Sequence, residues 1–370
     1  MIGRRLFATT QQRMHPQTMK AVVLRDGVAR LDRSRSVPAL RDDRVLVRPM
    51  AVALNPTDWR HVQYGRAKDG CILGCDYAGI VESVGSAVSD RWKPGDRIFG
   101  CAHGANLANP DDGVFAEFAA VLGDLQMRVP DFMSFEEAAT VGLGAITVGQ
   151  GLYQKALQLD LPVIEAETVR KDIPVLIYGG SSATGALGIQ YAKQSGYKVI
   201  TTCSPANFDY VKSLGADIVV DYNDKAAGSK IRDYTNNLLE YAWDTISIEQ
   251  SAQICAQALT TSTALKPVYG ALLPVSSPRS DVRTVTTVMH TVFGKAFKFG
   301  PQDMAASKED HEFGKQFFRI TEQMLSHRVL RPHKHRVGEG GLKGVIEGMR
   351  HLQEGKARAV KLVYRVADTP

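Results

Sequence analysis

The chain has 370 residues, of which 44% are hydrophobic and 23% are charged, and its net charge is +6. This length exceeds one ordinary hydrophobic core, so two domains are expected. No apolar run reaches the ~18–20 residues that span a bilayer, and no helix-turn-helix, zinc finger or aromatic-basic array points to nucleic acid. The modest positive charge suits an anionic ligand such as a phosphorylated cofactor or an acyl carrier.

Five irregularly spaced cysteines indicate reduced thiols, because only Cys71 and Cys75 lie close together in the sequence. The first twenty residues contain four basic and no acidic side chains, a composition similar to that of a mitochondrial presequence. We expect instead a disordered tail over residues 1–18 and a cytoplasmic protein.

Short alternating or apolar runs between polar turns predict a β-rich region in the first 120 residues. The predicted strands are residues 19–24, 44–49, 51–54, 78–85, 98–100 and 113–119. The pattern then becomes helical, because Ser134 and Glu137 have the spacing of a capping box. A helix over 146–157 is expected to follow.

The segment 175–188 carries the strongest motif of the chain. An apolar, β-branched run enters a turn containing Gly180, Gly185 and Gly188, and a helical pattern follows. At such a corner the free backbone N–H groups and the helix dipole favour a pyrophosphate. The helix over 189–196 and the strand over 197–203 complete a βαβ unit, which is the context that a dinucleotide site needs. The alternative is that the glycines only form an ordinary tight turn between the strand and the helix and bind no cofactor.

The second strand of this unit ends without a carboxylate. NAD-specific sites usually place an acidic residue there, on the ribose hydroxyls, whereas this strand ends at Cys203 and continues through Ser204 to Asn207. Neutral hydroxyl and amide groups, with Lys212 beyond them, would tolerate a 2′-phosphate. We therefore predict NADPH as the cofactor. Ser204 and Asn207 can also cap the helix predicted over 208–214.

These motifs in this order resemble the medium-chain dehydrogenase/reductase superfamily over nearly the whole chain. The markers are the glycine-rich turn and residues 55–58, 74–79, 84–85, 94–97 and 355–363. The resemblance implies an α/β fold with a GroES-like β-rich catalytic domain (19–160) and a doubly wound parallel-sheet, or Rossmann, NADP-binding domain (161–310). A C-terminal segment (311–370) would return to the first domain, and the site would lie in the cleft between the two.

In detail the chain is similar to the trans-acting enoyl reductases of fungal polyketide pathways, typified by the lovastatin enoyl reductase. The matching segments are residues 175–184, 202–209, 219–222, 231–238 and 291–294. This resemblance implies reduction of the α,β-double bond of a polyketide thioester by NADPH. The substrate would be bound to the acyl carrier of a partner polyketide synthase, which in some cases is a synthase–peptide synthetase hybrid.

The same resemblance implies the site residues. Segment 57–60 would lie beside the nicotinamide, 181–184 at the pyrophosphate and 204–207 at the 2′-phosphate. The positions implied for the cofactor are Thr57, Asp58, Trp59, Arg60, Gly180, Ser181, Ser182, Ala183, Thr184, Ser204, Pro205, Ala206, Asn207, Tyr222, Leu272, Leu273, Arg358 and Ala359. Those implied for the acyl chain are Thr147, Val148, Gly149, Gln150, Gly151, Leu152, Tyr153, Gln154, His290, Thr291, Val292, Phe293 and Gly294.

The ligands of zinc-dependent members of the superfamily are missing. Segment 55–58 has no thiol, Gly-Cys-Asp stands at 74–76 where those members have Gly-His-Glu, and only one cysteine lies within 101–110. The alternative set, Cys75, Asp76 and His103, mixes three ligand types and makes a poor zinc site. Because an alkoxide is not readily stabilised without a Lewis acid, we expect C=C reduction rather than alcohol oxidation, and no metal.

Two residues are the catalytic candidates. Arg60 occupies a position where the similar enzymes tend to have lysine, and it keeps the charge but does not readily give up a proton. It would either stabilise the enolate or contact a cofactor phosphate, and the α-proton would come from water or another group. Asp58 would orient its neighbours or satisfy local backbone donors.

Three further interpretations stay open. The basic stretch 331–336, which contains His333 and His335, is typical of a solvated face but could dock an acidic carrier domain. A free enone or quinone reductase of the same superfamily would use the same cofactor site. A non-enzymatic NADPH-binding interaction protein would bind the cofactor without turnover.

Overall fold

The computed structural model describes residues 16–164 and 168–370. The tail expected over 1–18 lies outside the described residues except for its last three, and Thr18 already begins the first strand. No helix in the described part of the chain is long and apolar enough to cross a membrane.

The β-rich half is a predominantly antiparallel sheet flanked by a two-stranded pair. Its strands are β1 (Thr18–Arg25), β2 (Val28–Ser36), β3 (Arg44–Ala53), β4 (Asp76–Val84), β5 (Arg97–Cys101), β6 (Ala119–Leu122) and β7 (Gln126–Arg128). Its helices are α1 (Pro56–Gln63), α2 (Phe135–Ala138) and α3 (Gly142–Val148), and a π-helical turn, Gly149–Gln154, continues α3.

The second half is a parallel sheet covered by helices. Its strands are β8 (Pro174–Tyr178), β9 (Lys198–Cys203), β10 (Ile218–Asp221), β11 (Tyr241–Asp244), β12 (Val268–Ala271) and β13 (Arg283–Thr286). Its helices are α4 (Ala183–Gln194), α5 (Phe208–Ser213), α6 (Ala227–Tyr234) and α7 (Glu249–Ala258). The strand order is β10-β9-β8-β11-β12-β13, so the order reverses beside β8. Ligands of open α/β sheets bind at the carboxyl ends of the strands at such a point.

The last part of the chain returns to the first sheet. It contains the hairpin β14 (Phe297–Phe299) and β15 (Gln302–Met304), then α8 (Lys308–Ser326), β16 (His335–Gly338), α9 (Gly341–Gln353) and β17 (Lys361–Arg365). β17 pairs antiparallel with β3 and parallel with β16, which gives the order β16-β17-β3-β4-β5-β7 with β6 beside β3. The largest apolar core runs between the two halves through Val148, Leu187, Trp243, Val292 and Phe317.

Two predicted elements are wrong in form. Residues 113–119 are not one strand, because the segment before β6 is an extended loop whose Phe115 exchanges backbone hydrogen bonds with Leu73 and Val22. The helix predicted over 146–157 changes to a π-helical turn after Val148. There the backbone packs closely, because a side-chain carbon at Gly151 would lie 2.2 Å from Nε1 of Trp243.

The basic stretch 331–336 is not a uniformly solvated face. His333 is buried, and its Nδ1 lies 2.8 Å from the hydroxyl of Tyr210. Burial lowers the pKa of His333 to about 3. This imidazole is therefore a neutral part of the packing, and only its neighbours Arg331, Lys334 and Arg336 remain exposed.

Candidate active site

The glycine-rich turn lies at the carboxyl end of β8, where the strand order reverses. Gly179 has a φ of +81°, and a side-chain carbon at Gly185 would lie 2.3 Å from the Gly179 carbonyl oxygen. Ser182 begins α4, and its Oγ accepts a hydrogen bond from the Gly185 amide at 2.9 Å. The same Oγ lies 3.0 Å from Oγ1 of Thr245, which follows β11. The turn is thereby tied to the strand on the other side of the reversal.

The donors at this turn fit the pyrophosphate of a dinucleotide. Residues 181–184 are only partly buried, and Ala183 and Thr184 are the first two residues of a twelve-residue helix. The first amides of a helix have no carbonyl partner within it, and the helix dipole adds a partial positive charge there. A nicotinamide dinucleotide would be held at these amides.

The end of β9 offers neutral donors. Oγ of Ser204 accepts a hydrogen bond from Nδ2 of Asn207 at 3.0 Å, and neither side chain caps α5. The carboxylate of Asp221, at the end of neighbouring β10, accepts from the amide and side chain of Asn223 at 3.0 and 2.9 Å. Tyr222 packs partly buried against the sheet. The carboxylate of Asp221 is thus engaged within its own turn.

A buried polar network fixes the start of α1. Nζ of Lys361 on β17 lies 2.5 Å from Oδ2 of Asp76 on β4 and 3.0 Å from Oδ1 of Asn55, the residue before α1. Nδ2 of Asn55 donates to the same carboxylate at 2.9 Å, and the Leu143 amide donates to Oδ1 of Asp76 at 2.6 Å. The network joins β4, β17, α3 and α1, so it sets where residues 57–60 lie.

Asp58 lies beside this network and is almost fully buried. Its Oδ2 accepts the Asn55 amide at 2.7 Å, whereas its Oδ1 has no hydrogen-bond partner. Burial, reinforced by the nearby Asp76 carboxylate, raises the pKa of Asp58 from an ordinary 3.8 to about 7. The bond from the Asn55 amide is of the kind expected if Asp58 satisfies a local backbone donor.

The raised pKa of Asp58 predicts that stability falls with rising pH. Between pH 4 and 7 Asp58 is protonated in the folded protein but ionised in the unfolded chain. Folding must therefore take up a proton, and the free energy of unfolding falls as the pH rises. Asp58→Asn keeps an oxygen for the Asn55 amide and has nothing to ionise. We expect this variant to gain stability relative to the parent at pH 8 but not at pH 4, measured by urea unfolding. An equal difference at both pH values would contradict the assignment.

Arg60 and Trp59 form the partly exposed side of α1. The guanidinium of Arg60 lies 5.2 Å from the centre of the Trp59 ring, and no carboxylate in the described ranges pairs with it. Partial burial lowers the pKa of Arg60, although an arginine stays charged. Nε1 of Trp59 is buried without a partner. A cation without a counter-charge is thus available at this helix.

Three histidines form a cluster between the two halves. The ring centres of His103 and His290 are 4.5 Å apart and those of His61 and His290 are 5.4 Å apart, while Phe293 stacks on His103 at 5.4 Å. His61 is also tied to α1, because its Nδ1 lies 2.8 Å from the Thr57 carbonyl oxygen. This histidine cluster connects the start of α1 with the turn Met289–Phe293.

The histidine cluster is uncharged and buried. Burial lowers the pKa of His61, lowers that of His103 to about 3 and holds that of His290 well below its ordinary range. Nε2 of His290 is buried without a hydrogen-bond partner. Neutral imidazoles can donate or accept a hydrogen bond without a fixed charge. The cluster is therefore suited to an uncharged, partly polar chain.

The two segments implied for the acyl chain meet in the structure. Nε2 of Gln150 in the π-helical turn donates to Oγ1 of Thr291 at 2.9 Å, and Oε1 of Gln150 is buried without a partner. Other members of the first segment belong to the core: Leu152 is fully buried, and the hydroxyl of Tyr153 bonds Ser195 at 2.9 Å. Gln154 donates to Asp310 at 3.0 Å.

The remaining predicted cofactor positions lie in two separate parts of the chain. Leu272 follows β12, and its amide donates to Oγ of Ser247 at 2.8 Å. The side chain of Arg358 is exposed, with its Nε 3.3 Å from the Gly355 carbonyl oxygen. Ala359 has a φ of +53° and lies two residues before Lys361, which brings the tail close to α1. Roles for these residues stay predictions.

The alternative zinc set does not assemble. Within residues 16–164 and 168–370, no group of three or more His, Cys, Asp and Glu side chains is placed to hold a metal. The Asp76 carboxylate is occupied by Lys361, Asn55 and the Leu143 amide. Burial and the carboxylates of Asp58 and Asp76 hold the pKa of Cys75 well above its ordinary range.

Sequence reasoning missed Lys361 and the histidine pair His61 and His103 as parts of the site. Lys361 lies within segment 355–363, which marks the family resemblance, but its partner Asp76 lies 285 positions away. The three histidines are widely separated in sequence and have no shared motif. A lysine in an apolar strand such as residues 359–364 was the only available signal, because such a residue needs a buried partner.

Comparison with known proteins agrees with this architecture. Residues 41–131 match the alcohol dehydrogenase GroES-like domain, and residues 183–298 match the zinc-binding dehydrogenase domain. Among solved structures, an alcohol dehydrogenase superfamily protein from Novosphingobium aromaticivorans has a TM-score of 0.75 at 23% identity, covering 94% of this chain and 100% of its own. The CurK enoyl reductase has a TM-score of 0.71 at 19% identity, covering 95% and 99%. The fold and domains are those of the medium-chain dehydrogenase/reductase superfamily.

Curated relatives narrow the family further. A trans-enoyl reductase of Aspergillus sclerotiorum is 44% identical over 92% of this chain and 98% of its own length. The trans-enoyl reductase TOXD of Cochliobolus carbonum is 51% identical over 73% of this chain and 88% of its own. The chain belongs to the fungal trans-enoyl reductases.

Proposed function

We propose that this protein is a zinc-independent, NADPH-dependent trans-acting enoyl reductase. Its substrate would be the α,β-unsaturated thioester of a polyketide carried by a separate synthase, or by a synthase–peptide synthetase hybrid, in the cytoplasm. The observation that carries this proposal is the 44% identity to a trans-enoyl reductase over almost its whole length. The pyrophosphate turn and the unpaired Arg60 support it.

The bound dinucleotide would supply a hydride to the β-carbon of the acceptor. The electron pair of the C=C bond then moves towards the thioester oxygen, and the α-carbon takes a proton from water. Arg60 would face the negative charge that develops on this oxygen, where a fixed cation stabilises a transition state strongly. The neutral histidine cluster would give the acyl chain a surrounding of low polarity, in which the attraction between Arg60 and the developing charge is stronger than in water.

Three features support the finer parts of the proposal. The neutral end of β9 leaves room for a 2′-phosphate, because the carboxylate of Asp221 at the end of neighbouring β10 is bonded within its own turn. Zinc independence is supported by the occupation of Asp76 by Lys361. The meeting of Gln150 and Thr291 beside His290 supports an acyl path between the halves.

The test is the oxidation of reduced cofactor with crotonyl thioesters. We expect turnover with crotonyl-pantetheine and faster turnover with a crotonyl carrier protein, a preference for NADPH over NADH, and no loss after treatment with a zinc chelator. A quinone and an alcohol with NADP⁺ are the comparison reactions. Turnover of the quinone without turnover of the thioesters would identify a free enone or quinone reductase instead.

The non-enzymatic alternative gives a separate result. An NADPH-binding interaction protein would show a higher melting temperature with NADPH, because a ligand that binds only the folded state stabilises it. It would reduce none of the acceptors. A melting shift with no turnover would therefore overturn the proposal while leaving the cofactor site in place.

A further inference from the structure

A cavity of about 190 Å³ lies beside the histidine cluster, and three basic side chains, Arg41, Arg44 and Lys295, line it together with His103 and Phe297. We call it the basic cavity. Its volume is well above that needed by one water molecule, so it admits a small ligand group. None of its basic residues belongs to the predicted cofactor or acyl positions.

The basic side chains are not all neutralised. Nη1 of Arg44 is buried and bonded to Asp112 at 2.6 Å, so this pair is internally balanced. Arg41 is half exposed and reaches Asp112 only at 3.8 Å, while Lys295 lies 3.1 Å from Asp43 with both side chains exposed. Three cations thus face two carboxylates, and the exposed Lys295 pair is weak and easily exchanged for another anion.

The two available cations come from different halves of the molecule. Arg41 precedes β3 of the β-rich half, whereas Lys295 follows the turn Met289–Phe293. An anion between them would bridge the halves at the rim of the cluster. This placement favours an anionic ligand that also extends towards the site.

A continuous series of contacts leads from the basic cavity to α1. His103 lines the cavity and lies 4.5 Å from His290, His290 lies 5.4 Å from His61, and His61 is bonded to Thr57. These rings are neutral and buried against one another, so a ligand would pass over the cluster rather than between its rings, and amide and methylene groups suit that surface better than a second charge. A ligand with a charged end and an uncharged arm matches both parts.

We propose that the basic cavity binds the phosphate of the pantetheine arm through which a carrier protein presents its acyl group, with Arg41 and Lys295 as the phosphate ligands. The arm would pass over the histidine cluster towards the partly exposed side of α1, where its thioester would lie beside Arg60. This inference rests on the proposed function and adds to it the site that distinguishes a carrier-bound acyl group from a free enone. Arginine suits this role because its fork of N–H groups matches phosphate oxygens.

The test compares two substrates that differ only in the phosphate, crotonyl-phosphopantetheine and crotonyl-pantetheine. We expect the parent protein to show a KM about tenfold lower for the phosphorylated thioester, the size of one or two hydrogen bonds to a charged group. In Arg41→Ser/Lys295→Ser this advantage should disappear, while turnover of crotonyl-pantetheine stays unchanged. The matched control is Arg30→Ser/Lys230→Ser, which removes two similarly exposed cations elsewhere.

Other results would overturn the inference. If the KM stays lower for the phosphorylated thioester in the double variant, the phosphate binds outside the basic cavity. If the parent shows no difference in KM between the two thioesters, the basic cavity does not bind the phosphate. A loss seen only with the carrier protein and not with crotonyl-phosphopantetheine would make this patch a protein-docking surface instead. If neither thioester is reduced, the proposed function fails, and calorimetric titration with phosphopantetheine still decides the site: the parent should bind it and the double variant should not.

Discussion

Replacing Arg60 by methionine is expected to lower kcat for crotonyl-pantetheine by about 100-fold, the size of effect seen when one group that stabilises an oxyanion is removed. The guanidinium is the cation on α1 that no described carboxylate neutralises, and methionine fills a similar volume without charge. Arg60→Lys should retain most of the activity, because it keeps a positive charge at the same position. Steady-state kinetics with saturating NADPH measures both effects.

The alternative role of Arg60 predicts a different pattern. A contact with a cofactor phosphate would raise the KM for NADPH and leave kcat at saturation unchanged. Arg30→Met, which removes an exposed cation on β2 that pairs with Asp26, should change neither constant. A normal kcat in Arg60→Met would therefore refute the proposed role in the reduction and support the phosphate contact.

The glycine-rich turn and its βαβ unit could be predicted from sequence because their signals are local. A strand, a glycine turn and a helix lie within residues 175–196, and the resemblance to a known superfamily is confirmed by both domain matches. The glycines are also needed for backbone geometry that few other residues adopt, as at Gly179 with its positive φ. Such positions show directly in the amino-acid pattern.

The environment of the catalytic candidates could not be predicted in the same way. Asp58 appears in sequence as an ordinary acidic residue, and only burial beside Asp76 raises its pKa. The histidine cluster forms because the turn Met289–Phe293 packs against α1 across the boundary between the halves. The basic cavity depends on the same packing. These properties arise from contacts between segments that are far apart in the chain. Neither hydrophobic periodicity nor motif spacing in a single sequence indicates which distant segments will meet.

The buried network is the clearest case, and it carries the second large effect. Lys361 and Asp76 are both inaccessible to solvent, so each charge depends on the other. Lys361→Met removes the cation and leaves the carboxylate with only neutral donors, Asn55 and the Leu143 amide. We expect a loss of about 3–5 kcal/mol in the free energy of unfolding, the range found when one partner of a buried ion pair is removed. Urea unfolding measures it.

A compensating change separates the charge effect from simple loss of packing. In Lys361→Met/Asp76→Asn neither position carries a charge, and the asparagine oxygen can still accept the Leu143 amide. We expect the double variant to regain much of the lost stability, because a buried pair can often be replaced by neutral groups at little cost. Lys230→Met, which breaks a solvent-exposed pair with Asp224, should have little effect. If the double variant is as unstable as Lys361→Met, the lysine acts by filling space rather than by balancing Asp76. Asn55 bonds both Lys361 and Asp76 and immediately precedes α1. If the double variant is stable but α1 has moved, the residues of α1 predicted to contact the cofactor move with it, and the KM for NADPH should rise.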